Sequence, residues 1–354
     1  MKVAIGLSGG VDSSVAALLL KEQGHDVVGI TMKLWRPGLY KGGGHGSCFG
    51  PGEDENIARS TRLAERIGIP YRVFDCFDAY SQDVLRYFRE TYLSGRTPNP
   101  CVRCNALVKF GLLPRLARES GLDFDAFATG HYARIGRRGD RFSLLRARDL
   151  AKDQSYFLYR LSQEQLARQL FPLGELAKDE VRAIARAHGL ESADARDSQD
   201  FYSGDASELI ATPDRPGDVV DASGRVLGRH PGFWHFTIGQ RKGLCTGGGS
   251  GVPYYVVALD ADRNRVVVGT AAEAVRTEFT VADMAFLGLA PEDLPPDGLD
   301  CLVKIRSAGA PRGPARLVGS RCLIPSGVSG VAPGQSAVFY SPDGNEVLCG
   351  GIIQ

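Results

Sequence analysis

The first half of the chain alternates short apolar runs with longer stretches of helical periodicity. Apolar runs at residues 2–7, 27–34, 71–74 and 125–132 predict buried strands. Apolar positions at helical spacing predict helices at 15–20, 53–67 and 78–93, the first ending at Gly24. This alternation, which continues over roughly the first 200 residues, predicts an α/β fold with a doubly wound, mostly parallel sheet.

The pattern changes near Pro213, where the chain becomes rich in Gly, Pro, Val and Thr. Short β-like runs separated by turn signals follow at 253–259, 265–269, 302–306, 315–318 and 336–340. They predict small β-rich or barrel domains after the parallel sheet. We therefore expect an α/β domain at 1–205, a small β-rich domain at 206–274 and a β-barrel at 275–354.

Composition narrows the class of protein. The 354 residues are 43% hydrophobic and 23% charged, with a formal net charge of +1. These values are typical of folded globular proteins and exclude a strongly basic protein, so any nucleic-acid binding must use a local patch. The chain has no apolar run of about 18 residues and no signal-peptide pattern. We expect a cytoplasmic protein that makes no contact with a membrane.

A glycine-rich turn follows the first predicted strand. Its residues are Gly6, Leu7, Ser8, Gly9, Gly10, Val11, Asp12 and Ser13, with Ser14 following. A glycine turn lets the backbone approach a phosphate, and the helix that begins there offers N–H donors and partial positive charge. The string lacks the Lys of a Walker A loop and is not the GxGxxG of dinucleotide sites. The alternative is a purely structural strand-to-helix turn.

The eight cysteines of the chain include one closely spaced pair, Cys101 and Cys104. Because prolines disfavour helical geometry in the residue before them, we expect the preceding segment 97–100 to be an exposed loop. A CxxC on a loop serves as a redox pair, half a zinc site or part of an iron–sulfur site. No second CxxC is present, which argues against structural zinc. The others are expected to be small buried hydrophobic residues, with Cys48 as an exception: Cys76, Cys245, Cys301, Cys322 and Cys349.

The glycine-rich turn resembles the loop of the ATP pyrophosphatases, which cleave ATP between its α and β phosphates and adenylate a substrate oxygen. Within that superfamily the chain resembles the tRNA-specific 2-thiouridylases. The matches keep their order along almost the whole chain, at residues 6–13, 95–100, 104–105, 109–110, 128–133, 152–156 and 237–244. The resemblance implies an enzyme that replaces the 2-oxygen of the wobble uridine in certain tRNAs with sulfur, using ATP and Mg²⁺.

The resemblance also implies roles for individual residues. Asp12 would help to position Mg²⁺, while Met32 and Gly130 would join residues 6–13 in binding ATP. Cys104 would be the catalytic cysteine. Contacts to tRNA are implied for Asn99, Pro100, Cys101, His131, Lys152, Asp153, Gln154, Arg306 and Gln335. A cationic stretch at 134–148, with six arginines and one aspartate, is either a solvated hairpin or a phosphate-backbone contact.

The chain departs from the family pattern at two positions. The family commonly has Asp at position 101, where this chain has Cys, and a second, persulfide-carrying cysteine at the position of Tyr202. One hypothesis is a [4Fe–4S] cluster held by Cys48, Cys101 and Cys104, because loops after strands of such a sheet converge on one edge. The open iron would bind hydrosulfide. A second is a persulfide on Cys104 resolved by Cys101, and a third is an inactive or repurposed site.

Several alternatives stay open at this point. Residues 197–200, Asp-Ser-Gln-Asp, supply a general base, seat the target base or form a polar loop. The sulfur donor is either sulfide or a persulfide carrier protein. The competing functions are another adenylating enzyme of the same superfamily, either a thiolase of a different tRNA position or an amidotransferase-type synthetase, and a catalytically silent tRNA-binding or iron–sulfur protein.

Overall fold

The structure is a computed structural model that describes residues 1–43, 47–194, 200–202, 204–244 and 253–354. The α-helices of these residues are α1 (Val11–Glu22), α2 (Glu53–Ile67), α3 (Phe77–Tyr80), α4 (Arg86–Leu93), α5 (Pro100–Cys104), α6 (Leu113–Glu119), α7 (Gln163–Ala167), α8 (Lys178–Ala187) and α9 (Ala206–Ile210). The π-helical segments Ser81–Leu85 and Asn105–Leu112 join α3 to α4 and α5 to α6. Short 3₁₀ turns lie at Ser155–Phe157, Phe233–His235 and Pro291–Asp293.

The strands before residue 203 are β1 (Lys2–Gly6), β2 (Asp26–Lys33), β3 (Ser47–Phe49), β4 (Tyr71–Asp75), β5 (Ala126–Thr129), β6 (Ala133–Arg138), β7 (Arg141–Arg146), β8 (Gln169–Leu170) and β9 (Asp200–Tyr202). Those after it are β10 (Gly217–Val220), β11 (Val226–His230), β12 (Tyr255–Asp260), β13 (Arg265–Gly269), β14 (Val275–Phe286), β15 (Leu299–Lys304), β16 (Arg312–Val318), β17 (Arg321–Ser329), β18 (Ser336–Tyr340) and β19 (Glu346–Ile353).

The first sheet is parallel throughout the described residues, in the order β4-β2-β1-β5-β8. Alternate residues of β1 point to opposite faces, so Val3 and Ile5 pack with α1 and α8, while Ala4 packs on the other face with Val108 and Phe127. Both faces are covered by helices, which confirms the predicted doubly wound α/β fold. The predicted helix at 78–93 is present and continuous, with the π-helical segment in its middle.

The second half is β-rich, as the sequence predicts. A mixed sheet runs in the order β11-β10-β13-β12. The last strands form an antiparallel barrel that closes where β14 pairs with both β17 and β19. Cys301, Cys322 and Cys349 lie inside it, which confirms their assignment as buried residues. Cys245 lies outside the described residues. The division into domains at residues 205 and 274 stays a prediction.

The hairpin β6–β7 joins the N-terminal half to the barrel, because β7 pairs with β19. Each of the six arginines predicted to form a cationic stretch here has a partner inside the protein. The contacts run from Arg134 to Glu175 and Asn345, from Arg137 to the ring of Phe142, from Arg138 to Glu346, from Arg141 to the carbonyls of Phe286 and Leu287, from Arg146 to Asp153 and from Arg148 to Glu180. These contacts anchor most of the guanidinium groups to neighbouring elements, while Arg137 and Arg138 stay exposed, so the phosphate-backbone contact stays a prediction.

Candidate active site

The glycine-rich turn connects the end of β1 to the first turn of α1. Gly9 has a φ of +72°, and a Cβ there would lie 2.6 Å from the carbonyl oxygen of Asn56 in α2. Only glycine fits this position. Gly10 begins α1 without a side-chain cap in the described structure. The N–H groups of the first helical turn therefore face the turn as donors for an anion such as phosphate.

Serine hydroxyls brace the turn from inside. The Ser13 hydroxyl accepts a hydrogen bond from the Ser8 backbone N–H at 3.2 Å and lies 3.1 Å from the Ser8 hydroxyl. Ser14 donates from its hydroxyl to the Gly10 carbonyl at 2.8 Å. The turn is thus ordered by its own side chains, with Ser8 exposed at the surface where a ligand would meet it.

Asp12 is engaged by two residues from distant parts of the chain. Its Oδ1 accepts from the Tyr132 hydroxyl at 2.8 Å, and Lys178 Nζ lies 2.7 and 2.9 Å from the two carboxylate oxygens. The Lys178 side chain is 8% exposed. Sequence analysis missed Lys178, because no local spacing connects residues that are 166 positions apart. Lys178 adds positive charge beside a turn built for an anion.

The residues predicted to contact the nucleotide beyond this turn lie at the ends of neighbouring strands. Gly130 follows β5, and a Cβ there would come within 2.7 Å of the backbone of Asp12 and Ser13. Met32 lies near the end of β2, paired with Phe74 of β4. Because β1, β2 and β5 are parallel neighbours, these residues share the carboxyl edge of the sheet, where ligands of this fold bind.

Glu53 is a second residue that sequence analysis missed. It lies at the start of α2, is 8% exposed, and accepts from the backbone N–H groups of Leu34 and Trp35 at 2.7 and 2.9 Å. Burial raises the pKa of Glu53, and the two N–H donors oppose that shift. The carboxylate fixes the chain where it leaves β2, next to Met32. Its signal in the sequence is only a carboxylate in the first turn of a predicted helix.

The side chains of residues 152–154, which are predicted to contact tRNA, differ in their exposure. Lys152 and Gln154 are half-buried, and Gln154 Oε1 accepts from the Tyr132 N–H at 2.9 Å. The Asp153 side chain is fully buried in an ion pair with Arg146 at 3.0 Å. Asp153 therefore has an internal partner in place of the predicted surface contact.

His131 sits between Phe110 and Phe171, with ring centroids 5.5 and 6.2 Å away. Its Nδ1 lies 2.7 Å from the Thr129 hydroxyl. Burial lowers the pKa of His131 well below its ordinary value, and the nearby charge of Lys109 lowers it further. The lowered pKa favours the neutral imidazole near pH 7, and the ring packs in tilted and edge-on contacts against the two phenyl rings.

The CxxC lies in helix α5, and residues 97–99 before it form a loop that is buried, so the prediction of an exposed loop is wrong in its exposure. Pro100 occupies the first turn of α5, and the Asn99 side chain caps that helix by accepting from the Val102 N–H at 3.3 Å. The preceding residues are buried against the barrel, where the Thr97 N–H donates to the Pro333 carbonyl at 2.7 Å. Proline disfavours helical geometry in the residue before it, but it is itself favoured at the first position of a helix. Pro100 takes that position, so a helix begins there.

Two residues predicted to contact tRNA take part in this same packing. Gln335 Nε2 donates to the Pro98 carbonyl at 2.8 Å, and its Oε1 lies 3.5 Å from Asn99 Nδ2. Asn99 is 8% exposed. Arg306 is exposed and donates to the Ile238 carbonyl, joining the barrel to the central β-region.

Cys48 and Tyr202 lie on paired strands. β3 and β9 are parallel, with Ser47 opposite Asp200 and Phe49 opposite Tyr202, which places Cys48 beside Phe201. Tyr202 is buried and donates to Glu208 at 2.6 Å. Burial, with help from Glu208, raises the pKa of Tyr202 to about 12. The chain thus has an exposed cysteine on the strand next to the position where the family commonly has one. The predicted site residues at 197–199 lie outside the described residues.

The thiols of the CxxC and of Cys76 lie close to Tyr80. Burial raises the pKa of this tyrosine, and the charges of Cys104, Cys48 and Cys101 act in the same direction. Burial also raises the pKa of Cys104 to about 11, with Lys109 opposing it. Cys76 follows β4, and burial with the charges of Asp75 and Cys104 raises its pKa to about 12. Cys76 and Tyr80 belong to one hydrophobic cluster against which Cys104 packs, and Cys76 directly follows β4 at the carboxyl edge of the sheet.

Proximity does not amount to a formed metal site. Among the described residues, no three Cys, His, Asp or Glu side chains are grouped so that they would hold a metal ion. The arrangement of Cys48, Cys101 and Cys104 therefore does not fit an iron–sulfur cluster as it stands, and the cluster stays a prediction. No helix in the described part of the chain is long and apolar enough to cross a membrane.

A parallel sheet with a glycine turn at a helix N-terminus, beside a cluster of thiols, defines an α/β nucleotide-binding protein equipped for sulfur chemistry. Family models match residues 1–202 as a tRNA methyl transferase HUP domain, 210–270 as a tRNA methyl transferase PRC-barrel domain and 276–353 as an aminomethyltransferase β-barrel domain. The chain belongs to the tRNA-specific 2-thiouridylase family of the PP-loop superfamily.

The similarity to individual relatives extends over the full length. The tRNA-specific 2-thiouridylase MnmA of Endomicrobium trichonymphae is 45% identical, covering 100% of this chain and 99% of that protein. The protein of the same name from Chloroflexus aurantiacus is 45% identical, covering 99% and 98%. The one from Rhodospirillum rubrum is 46% identical, covering 99% and 96%.

Proposed function

We propose that this protein is an ATP-dependent tRNA 2-thiolase, a tRNA-uridine 2-sulfurtransferase. Membership of the family supports this function. The observation that carries it is the shared carboxyl edge of the sheet: Asp12 lies beyond β1, Cys76 follows β4, and Cys104 packs against the same hydrophobic cluster as Cys76. A nucleotide and a sulfur-bearing group can therefore meet at one place.

The reaction has two steps. The target uridine, flipped out of its loop, attacks the α phosphate of ATP with its 2-oxygen, and the bond to pyrophosphate breaks. A sulfur nucleophile then attacks C2, the C2–O bond breaks and AMP leaves. Adenylation is needed because an unactivated carbonyl oxygen is a poor leaving group. We further propose that the uridine is the wobble base and that the reaction takes place in the cytoplasm.

The nucleotide is assigned to residues 6–13, with Met32 and Gly130 beside them. The first-turn N–H groups of α1 and the Ser8 hydroxyl would bind phosphate oxygens. Asp12 fits a Mg²⁺ site of the kind that uses one carboxylate together with substrate phosphates. Bound Mg²⁺ would offset the charge that develops on the phosphates. Lys178, already paired with Asp12, would add a second positive group.

Contacts to tRNA are assigned to the accessible members of the predicted set. Lys152, Gln154, Arg306 and His131 belong to this group, since each is at least partly exposed. Asn99, Asp153 and Gln335 have internal partners and would support these contacts from behind. Pro100 and Cys101 would border the target base through their place at the start of α5.

Two routes for sulfur follow from the predicted roles of the cysteines, and the second requires Cys48, Cys101 and Cys104 to leave the arrangement described above. In the first, Cys104 carries a persulfide delivered by a carrier protein, and its outer sulfur attacks C2. The Cys101 thiolate then breaks the S–S bond, which releases 2-thiouridine and leaves a Cys101–Cys104 disulfide that an external thiol reduces. In the second, Cys48, Cys101 and Cys104 rearrange to hold a [4Fe–4S] cluster, and sulfide is the donor. Iron and acid-labile sulfide, assayed after anaerobic reconstitution, decide between them. Iron binding that is lost in Cys48→Ala but kept in Cys301→Ala supports the cluster. Wild-type protein that contains no iron after reconstitution excludes it.

The function is tested by nucleoside mass spectrometry. Unmodified tRNA is incubated anaerobically with iron-reconstituted protein, Mg-ATP and sulfide, and 2-thiouridine and AMP are measured. Formation of both supports the proposal and shows that no persulfide carrier is required. AMP without 2-thiouridine shows that activation is intact and a sulfur donor is missing. Binding of tRNA with neither product identifies a silent tRNA-binding protein, and ATP–pyrophosphate exchange without tRNA identifies a synthetase.

Asp12→Ala separates nucleotide activation from tRNA recognition. We expect this variant to release no AMP and to bind tRNA with unchanged affinity, because Asp12 lies in the phosphate turn. Thiolation by the variant at the wild-type rate contradicts the assignment of the turn.

A further inference from the structure

Both partners of Asp12 are held in place by one short segment, residues 149–154. Gln154 brackets the backbone of Tyr132: its N–H donates to the Tyr132 carbonyl at 2.8 Å, and its Oε1 accepts from the Tyr132 N–H at 2.9 Å. At the other end of the segment, Asp149 Oδ2 accepts from the Lys178 N–H at 3.0 Å. The segment therefore fixes both donors to the Asp12 carboxylate.

These donors are rigidly packed. Tyr132 is 1% exposed and Lys178 is 7% exposed. Together they supply three contacts of 2.7 to 2.9 Å to the Asp12 carboxylate. While these contacts are present, the carboxylate has fewer lone pairs to offer an incoming cation, so the same contacts that order the turn also compete with Mg²⁺.

The segment also reaches the surface on which tRNA is expected. Lys152 lies between the two anchoring residues and is half-buried. Inside the segment, Asp153 ties the chain to Arg146, and Asp149 Oδ1 accepts from the Ala151 N–H at 3.1 Å. These bonds connect Lys152 to both anchoring residues, Asp149 and Gln154, within one short segment.

We propose that segment 149–154 couples tRNA binding to the nucleotide turn, with Tyr132 as the positioning residue that sets how available Asp12 is to Mg-ATP. The inference rests on the proposed function, which assigns Lys152 and Gln154 to tRNA. Contact with tRNA shifts the segment, relaxes the Tyr132 and Lys178 contacts and frees Asp12. Because such coupling is reciprocal, Mg-ATP also tightens tRNA binding by the same factor.

The test measures the affinity of full-length protein for α,β-methylene-ATP with Mg²⁺, by calorimetry, without and with saturating unmodified tRNA. The analogue resists cleavage at the bond that the reaction breaks, so only binding is measured. For the wild-type protein we expect tRNA to increase the affinity for the analogue by at least about fivefold. Tyr132→Phe keeps the ring and removes the hydroxyl. It should bind the analogue more tightly without tRNA, bind tRNA more tightly without the analogue, and reduce the effect of each ligand on the other to about twofold or less.

Tyr71→Phe is the matched control. Its hydroxyl donates to Thr31 at 2.8 Å in the same sheet and does not touch Asp12, so the variant should keep the wild-type coupling. Asp149→Ala tests the contact that holds Lys178. It is assessed by the same ratio of analogue affinities with and without tRNA, and it replaces Tyr132→Phe if that variant fails to fold.

Two results overturn the inference: wild-type protein that binds the analogue equally with and without tRNA, or variants at both Tyr132 and Asp149 that keep the wild-type ratio. Release of AMP and formation of 2-thiouridine, measured on the same preparations, test the proposed function separately. Thiolation without coupling overturns only the coupling, and coupling without thiolation overturns only the function.

Discussion

The buried ion pair between Asp153 and Arg146 makes a sharp test, because sequence and structure assign Asp153 different roles. The resemblance implies a contact to tRNA, whereas the structure buries the carboxylate completely and leaves Arg146 only 10% exposed. Asp153 Oδ2 accepts from Arg146 Nε and the Ser155 hydroxyl, both at 3.0 Å. Oδ1 accepts from the N–H groups of Ala147 and Ser155, both at 3.2 Å.

Asp153→Asn keeps the size of the side chain and one carbonyl oxygen but removes the negative charge. The new amide nitrogen, itself a donor, then faces either two backbone N–H groups or Arg146 and Ser155. Removing one partner of a buried pair costs about 3–5 kcal/mol. Because Arg146 keeps the Gly344 carbonyl at 3.3 Å, we expect the lower end, about 3 kcal/mol. For 354 residues, with an unfolding entropy of about 2.1 cal/mol/K per residue, that corresponds to a fall in melting midpoint of about 4 °C.

The assay combines thermal unfolding followed by circular dichroism with tRNA filter binding at a temperature well below both midpoints. We expect the midpoint to fall and the affinity of the folded variant for tRNA to stay at the wild-type value. Glu191→Gln is the control, since it removes the same charge from an exposed pair with Arg62 and should leave the midpoint unchanged. An unchanged midpoint together with a tenfold or greater loss of tRNA affinity would refute the structural role of Asp153.

Three further predictions concern the site. Gly130→Ala places a methyl group 2.7 Å from the backbone of Asp12 and Ser13, so we expect KM for ATP to rise at least about tenfold with tRNA affinity retained; an unchanged KM contradicts the close approach. The lowered pKa of His131 means that the unfolded chain takes up more protons as pH falls below about 6.5, so the free energy of unfolding decreases there. His131→Gln should lose less stability in urea titrations between pH 7 and 5 than wild type, and equal losses count against a buried neutral imidazole. Cys104→Ala should abolish 2-thiouridine while AMP is still released, and thiolation at the wild-type rate rules out Cys104 as the catalytic cysteine.

The sequence by itself determined the elements and the chemical class of the site. The helical spacing at 53–67 matches α2, the apolar run at 2–7 matches β1, and the glycine turn lies between β1 and α1 as predicted. Each of these features is encoded within a few residues, by periodicity, by glycine and by the start of a helix. Such local signals depend only on residues that are close in sequence. They therefore predict the element wherever the fold buries its apolar face.

Contacts between distant parts of the chain were decided only by the tertiary structure. The ion pair of Asp12 with Lys178, the pairing of the Cys48 strand with the Tyr202 strand and the docking of hairpin β6–β7 on β19 have no local signal. Asn99 shows the same limit, because its contact with Ser336 buries a loop that the sequence predicts to be exposed. Long-range pairing depends on which surfaces the folded chain brings together. The spacing of residues within one element carries no information about its distant partners.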